Sequence, residues 1–194
     1  ADILHFYGFY FLIAAVFFMV NNRALLAVSA VITLAFPILM VFFDYQQNWN
    51  WASLAYENFW TLDGMVRHIV FNGFHPIFPW AAFLIFGMWL GRQDLSHKAT
   101  QKRLFLRSVT ILIVIEGLFY ITRLTLGDGS ALEMTSDEVG FLLSISIIPP
   151  LPQYMISAGS SAVIVLISCI YFSDKYSESN INQWLCKTGQ LSLT

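Results

Sequence analysis

The sequence predicts an all-α protein, a polytopic bundle of transmembrane helices with about five spans and the start of a sixth. Of its 194 residues, 57% are hydrophobic and only 11% are charged, and the mean hydropathy is +0.65. Several apolar stretches approach the roughly 20 residues that a helix needs to cross a hydrocarbon core. Basic residues are concentrated in every second connection between these stretches. A water-soluble domain of this size would have to bury nearly all of this apolar surface, so lipid is the expected solvent.

The apolar stretches place the spans at about residues 3–20, 24–43, 76–91, 105–123 and 152–172. The first two are joined by residues 21–23 alone, a connection so short that it predicts an antiparallel hairpin of helices. Pro76 and Pro79 stand at the start of the third span, where a missing N–H does no harm, so this turn should be its entrance.

Basic residues indicate which side of the membrane each connection occupies. Two of them, Arg67 and Arg123, fall on one side, whereas the other side holds Arg23, Arg92, Lys98, Lys102, Arg103, Arg107, Lys175 and Lys187. The positive-inside rule therefore predicts that residues 21–23, 92–104 and 173–188 are cytoplasmic, and that residues 44–75 and 124–151 are outside. All 194 residues then form one transmembrane domain.

The predicted outer segment, residues 44–75, intersperses tryptophan, tyrosine and phenylalanine among polar residues. Aromatic rings with a polar edge favour the headgroup level of a bilayer. A short amphipathic helix resting on the membrane is the simpler interpretation, and a lid over an outward-facing site is the alternative.

The third span with its flanks, residues 72–92, reads NGFHPIFPWAAFLIFGMWLGR and includes the main candidate residue, His75. At the outer mouth of a helix an imidazole has partial water and a defined backbone, as a general base or acid requires. An interfacial histidine bonded to a neighbouring loop explains the same residue without catalysis. His5 and His68 are weaker candidates. Gly87 and Gly91 form a GxxxG motif that permits close approach of a second helix, and the SAGSSA run at residues 157–162 is a candidate counterpart.

Glu116 lies inside the fourth span and Arg123 closes that span on the outer side. An ionisable group at membrane depth is costly and suggests function. The two side chains share a helical face but are separated by about 10.5 Å along the axis, so we expect each to have another partner. Arg123 can alternatively extend to the headgroups, whereas Glu116 requires a buried donor, protonation or a water-filled cavity.

The basic loop RQDLSHKATQKR could bind the phosphates of a nucleotide-containing cofactor, although the positive-inside rule explains its charges without any ligand. No glycine-rich phosphate cradle and no cysteine or histidine metal motif occurs in the sequence.

Three motifs, DILHFYGFYFL at residues 2–12, the third span, and TGQLSLT at residues 188–194, resemble the YeiB-like bacterial membrane proteins, relatives of heparan-α-glucosaminide N-acetyltransferase. The resemblance implies a multi-pass protein of the bacterial cytoplasmic (inner) membrane. It implies a transmembrane acyltransferase that moves an acyl group from cytoplasmic acyl-coenzyme A, such as acetyl-coenzyme A, to an acceptor such as a sugar at the outer face, with no metal.

Residue by residue, the family's outer motif falls on Asn72, His75, Pro76 and Trp80, and its cytoplasmic helix end falls on Arg92. This predicts a catalytic group of His75, Glu116 and Arg123, with Asn72, Trp80 and His5 binding substrate. Coenzyme phosphates would lie near Arg92, Lys102 and Arg103. His75 would act as the base, and Arg123 or Asn72 would stabilise the oxyanion.

The partners expected are the lipid bilayer and a sugar or lipid-linked acceptor, with no nucleic acid, and a homo-oligomer is compatible with these features. The family's Arg-Gly-containing first helix and its final helices are not in this sequence, so we expect the chain to be a fragment of a longer protein. The alternative functions are a membrane transporter or flippase for a small or lipid-linked substrate, with Glu116 and Arg123 on the substrate path, and a non-catalytic membrane subunit.

Overall fold

The computed structural model describes residues 4–126, 135–176 and 178–191. Within these residues the chain is mostly helical, with one small β-hairpin. The elements are α1 (Leu4–Phe17), α2 (Asn22–Phe42), β1 (Trp49–Asn50), β2 (Ala55–Tyr56), α3 (Leu62–Arg67), a π-helical turn (His68–Asn72), α4 (Ile77–Gly91), α5 (Lys98–Leu126), α6 (Ser136–Leu142), α7 (Pro152–Lys175) and α8 (Asn180–Leu191). Part of the second predicted outer loop, the start of the first motif and the end of the last lie outside the described residues.

Three helices, α2, α5 and α7, are long and apolar enough to cross a membrane. A fourth crossing results if the α3 segment and α4, which meet at a bend of 42°, form one broken span. Helix α1 is apolar but shorter. The chain is therefore a multi-pass membrane protein. A helix covers each of the five predicted spans, but only three of the described helices are by themselves long and apolar enough to cross a membrane.

Two helices differ from the predicted organisation. Helix α5 begins at Lys98, seven residues before the predicted span, so the basic loop shortens to residues 92–97. The reason is local, because alanine, glutamine, lysine, arginine and leucine at residues 98–107 all favour helix. Helix α8 occupies most of the stretch predicted as the last cytoplasmic loop.

The helices pack as two main pairs, α2 with α4 and α5 with α7, and α1 lies against α4. The hydroxyl of Ser29 on α2 donates to the backbone oxygen of Ala82 on α4 at 2.9 Å. The close approach that Gly87 and Gly91 permit is not used within the described residues, since a Cβ atom on either glycine would meet no atom within 4 Å. Of the SAGSSA run, Gly159 faces Phe83 of α4, where an added Cβ would lie 3.6 Å from the ring.

The outer segment folds as a hairpin followed by a short helix rather than as one amphipathic helix. Strands β1 and β2 pair Trp49 with Tyr56, and the six-residue α3 runs directly into the π-helical turn. Phe36 of α2 is buried against Tyr45 and Phe71 of this segment. The segment therefore forms a cap, residues 44–75, that is packed onto the outer end of α2.

Helix α4 fixes the separation between the two ends of the bundle. Pro76 is its N-cap, and Phe78 has non-helical backbone angles, so the proline turn is the entrance that the sequence predicted. Fifteen helical residues at 1.5 Å each separate the His75 end from the Arg92 end by about 22 Å. These are called the outer end, after the side on which the sequence predicts it, and the basic end below.

Candidate active site

Asn72, at the last position of the π-helical turn, holds the cap together. Its side chain is fully buried and donates to the backbone oxygens of Tyr45 at 3.0 Å and Gln47 at 2.9 Å. Its Oδ1 accepts from the Tyr56 hydroxyl at 3.0 Å, and its backbone oxygen accepts from Trp49 Nε1 at 2.5 Å. Both amide hydrogens are thus engaged by the protein, so this geometry suits a bracing role better than the predicted substrate contact.

Gly73 follows Asn72 and lets the chain turn tightly beneath the cap. A Cβ atom at this position would lie 2.3 Å from the backbone oxygen of His68 and 3.0 Å from the Phe6 ring. The φ of Gly73 is −70°, which any residue can adopt, so the backbone conformation does not require glycine. Glycine is required because the His68 backbone and the Phe6 ring leave no room for a Cβ atom. This close approach positions His75 two residues later.

His68 is 7% exposed and enclosed by aromatic rings of the cap and of α1. Its ring centroid lies 4.6 Å from that of Tyr56, 5.1 Å from Phe59 and 5.6 Å from Phe6. His68 lies in the cap, outside the spanning helices, and burial, helped by nearby His5, lowers its pKa from 6.5 to about 4. It is therefore a neutral packing residue at neutral pH.

His75 lines a cavity of about 410 Å³ between α1 and α4, together with Tyr7, Tyr10, Phe11, Trp80 and Leu84. Its ring lies 5.0 Å from that of Trp80. Partial burial lowers the pKa of His75 below its ordinary value of 6.5, so the imidazole is neutral at neutral pH and has a lone pair to accept a proton. An aromatic cavity with one such base is the form of a small-molecule site.

Tyr10 ties α1 to this cavity. Its hydroxyl donates to the backbone oxygen of His75 at 2.7 Å and lies 3.2 Å from that of Pro76. Tyr7, Tyr10 and Phe11 have i, i+3, i+4 spacing, so one face of α1 forms a wall of the cavity. The sequence contained this signal in the DILHFYGFYFL motif, but nothing in the sequence indicated that α1 packs against the proline turn.

His5, a predicted substrate residue, lies one turn earlier on α1 beside the cap. Its ring centroid is 4.0 Å from Phe6 and 5.8 Å from His68. Phe6 is also 6.5 Å from the His75 ring. Three of the chain's four histidines therefore surround Phe6, although His5 and His68 are not among the residues that line the His75 cavity.

Trp80 links the cavity to α7, since its ring centroid lies 6.4 Å from that of Tyr154. One turn further along α7, the Ser157 hydroxyl donates to Glu116 Oε1 of α5 at 2.6 Å. Glu116 thus has the buried donor that its depth requires. Its link to the cavity runs through α7, from Ser157 to Tyr154 and then to Trp80.

Arg123 has a partner of its own, as the helical spacing from Glu116 predicted. Its Nε and Nη2 donate to the backbone oxygen of Leu143 at 2.8 and 2.5 Å. Leu143 directly follows α6, so Arg123 fastens the end of that helix to α5. In the described residues no hydrogen bond or ion pair joins Arg123 to His75 or to Glu116, and the predicted catalytic group is not assembled side by side.

Arg92 lies on the C-terminal end of α1. Its guanidinium donates to the backbone oxygens of Val20 and, at 2.5 Å, of Phe18, and reaches Asn22 Oδ1 at 3.4 Å. A cation on the last carbonyls of a helix satisfies acceptors that have no intrahelical partner. Arg92 is accordingly occupied in holding the α1–α2 turn.

Lys102 and Arg103 are neighbours on α5 with different surroundings. Lys102 lines a groove of about 530 Å³ between the basic ends of α5 and α7, whereas Arg103 is exposed and does not line it. Neither side chain forms an ion pair with a described residue. The structure therefore does not bring Arg92, Lys102 and Arg103 together at one point.

A third cavity, of about 290 Å³, lies between the outer and basic ends and is lined by α2, α4, α5 and α7. Its walls are apolar except for hydroxyls from each of three helices, namely those of Ser29, Thr33, Ser108 and Ser160. Space therefore exists in the middle of the bundle as well as at both ends.

Several long apolar helices, with a histidine cavity at one end and basic residues at the other, define this chain as a multi-pass membrane protein with a candidate small-molecule site. The family model described as heparan-alpha-glucosaminide N-acetyltransferase, catalytic, matches residues 2–127, more than half of the sequence, and the chain belongs to this family. Membership supports a transmembrane acetyltransferase-like function and the use of acetyl-coenzyme A. No curated protein and no solved structure gives a significant match to the chain.

Proposed function

We propose that this protein is a transmembrane acyltransferase that moves an acyl group from cytoplasmic acyl-coenzyme A to an acceptor, such as a sugar, at the outer end of the bundle. The observation that carries the proposal is the family match over α1 to α5, the helices that form the His75 cavity and the basic end. The proposal also assigns the protein to the YeiB-like bacterial subgroup and locates it in the bacterial inner membrane.

His75 is the proposed base. The acceptor's hydroxyl or amine gives its proton to the neutral imidazole as its oxygen or nitrogen attacks the thioester carbonyl carbon. The C–S bond then breaks, the acyl group stays on the acceptor, and the sulfur leaves with the proton that His75 returns. The depressed pKa of His75 supports this role because the base is unprotonated before reaction.

Trp80 and the α1 face are proposed to hold the acceptor. They provide aromatic walls beside His75, with the polar atoms of Tyr7, Tyr10 and Trp80 among them, which favours a small ligand with a reactive hydroxyl or amine. His5 and Asn72 would support the site indirectly, His5 through Phe6 and Asn72 through the cap. The two oxyanion donors expected from the sequence both have other partners in the described chain, Asn72 in the cap and Arg123 on Leu143, so no donor is assigned here, and Glu116 would act only through α7.

The donor's phosphates would lie at the basic end, where Arg103 is exposed and has no ion pair in the described chain. Arg92 and Lys102 add positive charge nearby. The two ends are about 22 Å apart along α4, and the central cavity offers space for the pantetheine arm between them. Residues of the family-matched region thus supply a base, an acceptor pocket and an anion-attracting end.

The experiment is acyl transfer by the purified full chain in liposomes, with radiolabelled acetyl-coenzyme A and a panel of sugars and amino sugars. We expect transfer to disappear in His75→Ala and to persist in His97→Ala, a matched histidine exposed in the basic loop. Undiminished transfer by His75→Ala would show that His75 is not the general base. Substrate movement without any acyl donor, stopped by Glu116→Gln, would instead identify a transporter, which the family match does not favour.

A further inference from the structure

The groove between α5 and α7 at the basic end is built from two helical stripes. Lys98, Gln101, Lys102 and Phe105 follow i, i+3, i+4, i+7 spacing on α5, and Ile167, Ser168, Tyr171 and Phe172 form the facing wall on α7. Its volume of about 530 Å³ is the largest of the three spaces described above. The groove therefore continues from a charged rim into an apolar interior.

The wall faces outward at its basic end, whereas Ile167, deeper along it, is buried in the core with Leu104 and Val163. Phe172 is 57% exposed and Tyr171 is 48% exposed, although both belong to a helix that meets the criterion for a membrane span. At the end of a membrane-spanning helix the medium around such side chains is the bilayer interface, where headgroups meet the upper acyl chains. A lipid is thus the natural occupant of this part of the groove.

The rim carries a net positive charge. Lys98 forms an ion pair with Asp174 of α7, which leaves Lys102 without an ion pair among the described residues. A further cation, Lys175, lies with its Nζ 5.9 Å from the Tyr171 ring centroid. Three lysines against one carboxylate, at the end predicted to be cytoplasmic, favour an anionic headgroup.

Spacing along α5 matches the shape of a lipid. Lys98 and Lys102 occupy the first turns of the helix, and Phe105 lies about 10 Å deeper than Lys98. Because Lys98 pairs with Asp174, Phe172 is level with the lysines, and a phosphate there would run its acyl chain past Phe172 towards Phe105 and Ser168. Basic pockets between transmembrane helices on the cytoplasmic side are known binding places for anionic lipid headgroups.

We infer that this groove binds one anionic phospholipid of the cytoplasmic leaflet, with its phosphate on Lys102 and Lys98 and one acyl chain along α7. The inference does not depend on the acyltransferase proposal. It assigns Lys102 to a lipid and leaves the coenzyme phosphates to the neighbouring Arg103 side of α5.

The test measures lipid that stays with the purified full chain after detergent exchange, by native mass spectrometry, following incubation with vesicles of phosphatidylglycerol or phosphatidylcholine. We expect phosphatidylglycerol to be retained by the unaltered protein, and at least tenfold less by Lys98→Gln/Lys102→Gln. The matched control is Arg103→Gln/Arg107→Gln, which removes the same charge from the same helix outside the groove and should retain the lipid.

A second variant separates lipid binding from charge and folding. Ser168→Phe fills the half-buried centre of the groove and leaves every lysine in place, so it should also lose phosphatidylglycerol. Equal retention by the two double variants would overturn the inference, as would retention by Ser168→Phe. Displacement of the lipid by coenzyme A at equal concentration would show that the groove is the coenzyme site instead.

Discussion

The Ser157 hydroxyl of α7 donates a 2.6 Å hydrogen bond to Oε1 of Glu116 on α5, which joins the two most closely associated helices at a depth where water is scarce. We expect Ser157→Ala to lower the free energy of unfolding by about 0.6 kcal/mol, the average for hydrogen bonds between membrane helices, and by no more than the maximum of about 1.7 kcal/mol. Thermal unfolding in detergent measures this. Ser168→Ala, with no such acceptor in the described structure, is the control, and an equal loss in both variants would contradict the assignment.

Asn72→Ala should destabilise the cap strongly. The substitution leaves the backbone oxygens of Tyr45 and Gln47 and the Tyr56 hydroxyl without their partner, at a cost of about 2–3 kcal/mol. Limited trypsin digestion should show faster cleavage at Arg67. Asn50→Ala, which removes one exposed bond to the Ser53 amide, should leave the digestion rate unchanged, and a fully resistant Asn72→Ala would contradict the bracing role.

Stability should depend on pH through His68. As the pH falls, His68 of the unfolded chain takes up a proton near its ordinary pKa of 6.5. In the folded chain it takes up the proton only near its lowered pKa of about 4. The unfolded state then holds more protons between these values, so stability that is fully present above pH 6.5 falls as pH drops towards 4.

His68→Phe should flatten this dependence because the aromatic enclosure accepts a phenyl ring and no proton is taken up. Melting temperatures measured from pH 7 to pH 4 test the comparison. Some slope should remain, because the pKa of His75 is lowered in the same direction. A variant with the full slope of the unaltered protein would exclude His68 as its source.

Arg92→Ala should loosen α1. Its guanidinium holds the carbonyls of Phe18 and Val20, and its loss should reduce stability by about 1 kcal/mol. Arg92→Lys should recover part of this loss, since one ammonium group cannot span several carbonyls. Arg103→Ala provides the comparison in the thermal unfolding assay, and a matching loss there would show that charge alone accounts for the effect.

Much of the helical organisation was readable from the sequence because apolar length and proline position are local properties. The bounds of α2, α4 and α7 fall within a few residues of the predicted spans. The bundle's pairing was not readable. Gly87 and Gly91 suggested a helix contact by motif alone, yet a Cβ atom on either would meet no atom within 4 Å in the described chain, where α4 packs mainly on α2.

The sequence by itself determined a helical membrane protein with an aromatic end near His75 and a basic end near Arg92, because hydropathy and charge act position by position. Only the tertiary structure decided which polar side chains are already hydrogen-bonded within the protein. It engaged both amide hydrogens of Asn72, placed Arg92 on the end of α1, and gave Glu116 a donor from another helix. These outcomes depend on contacts between residues 25 to 74 positions apart, which local sequence patterns do not encode.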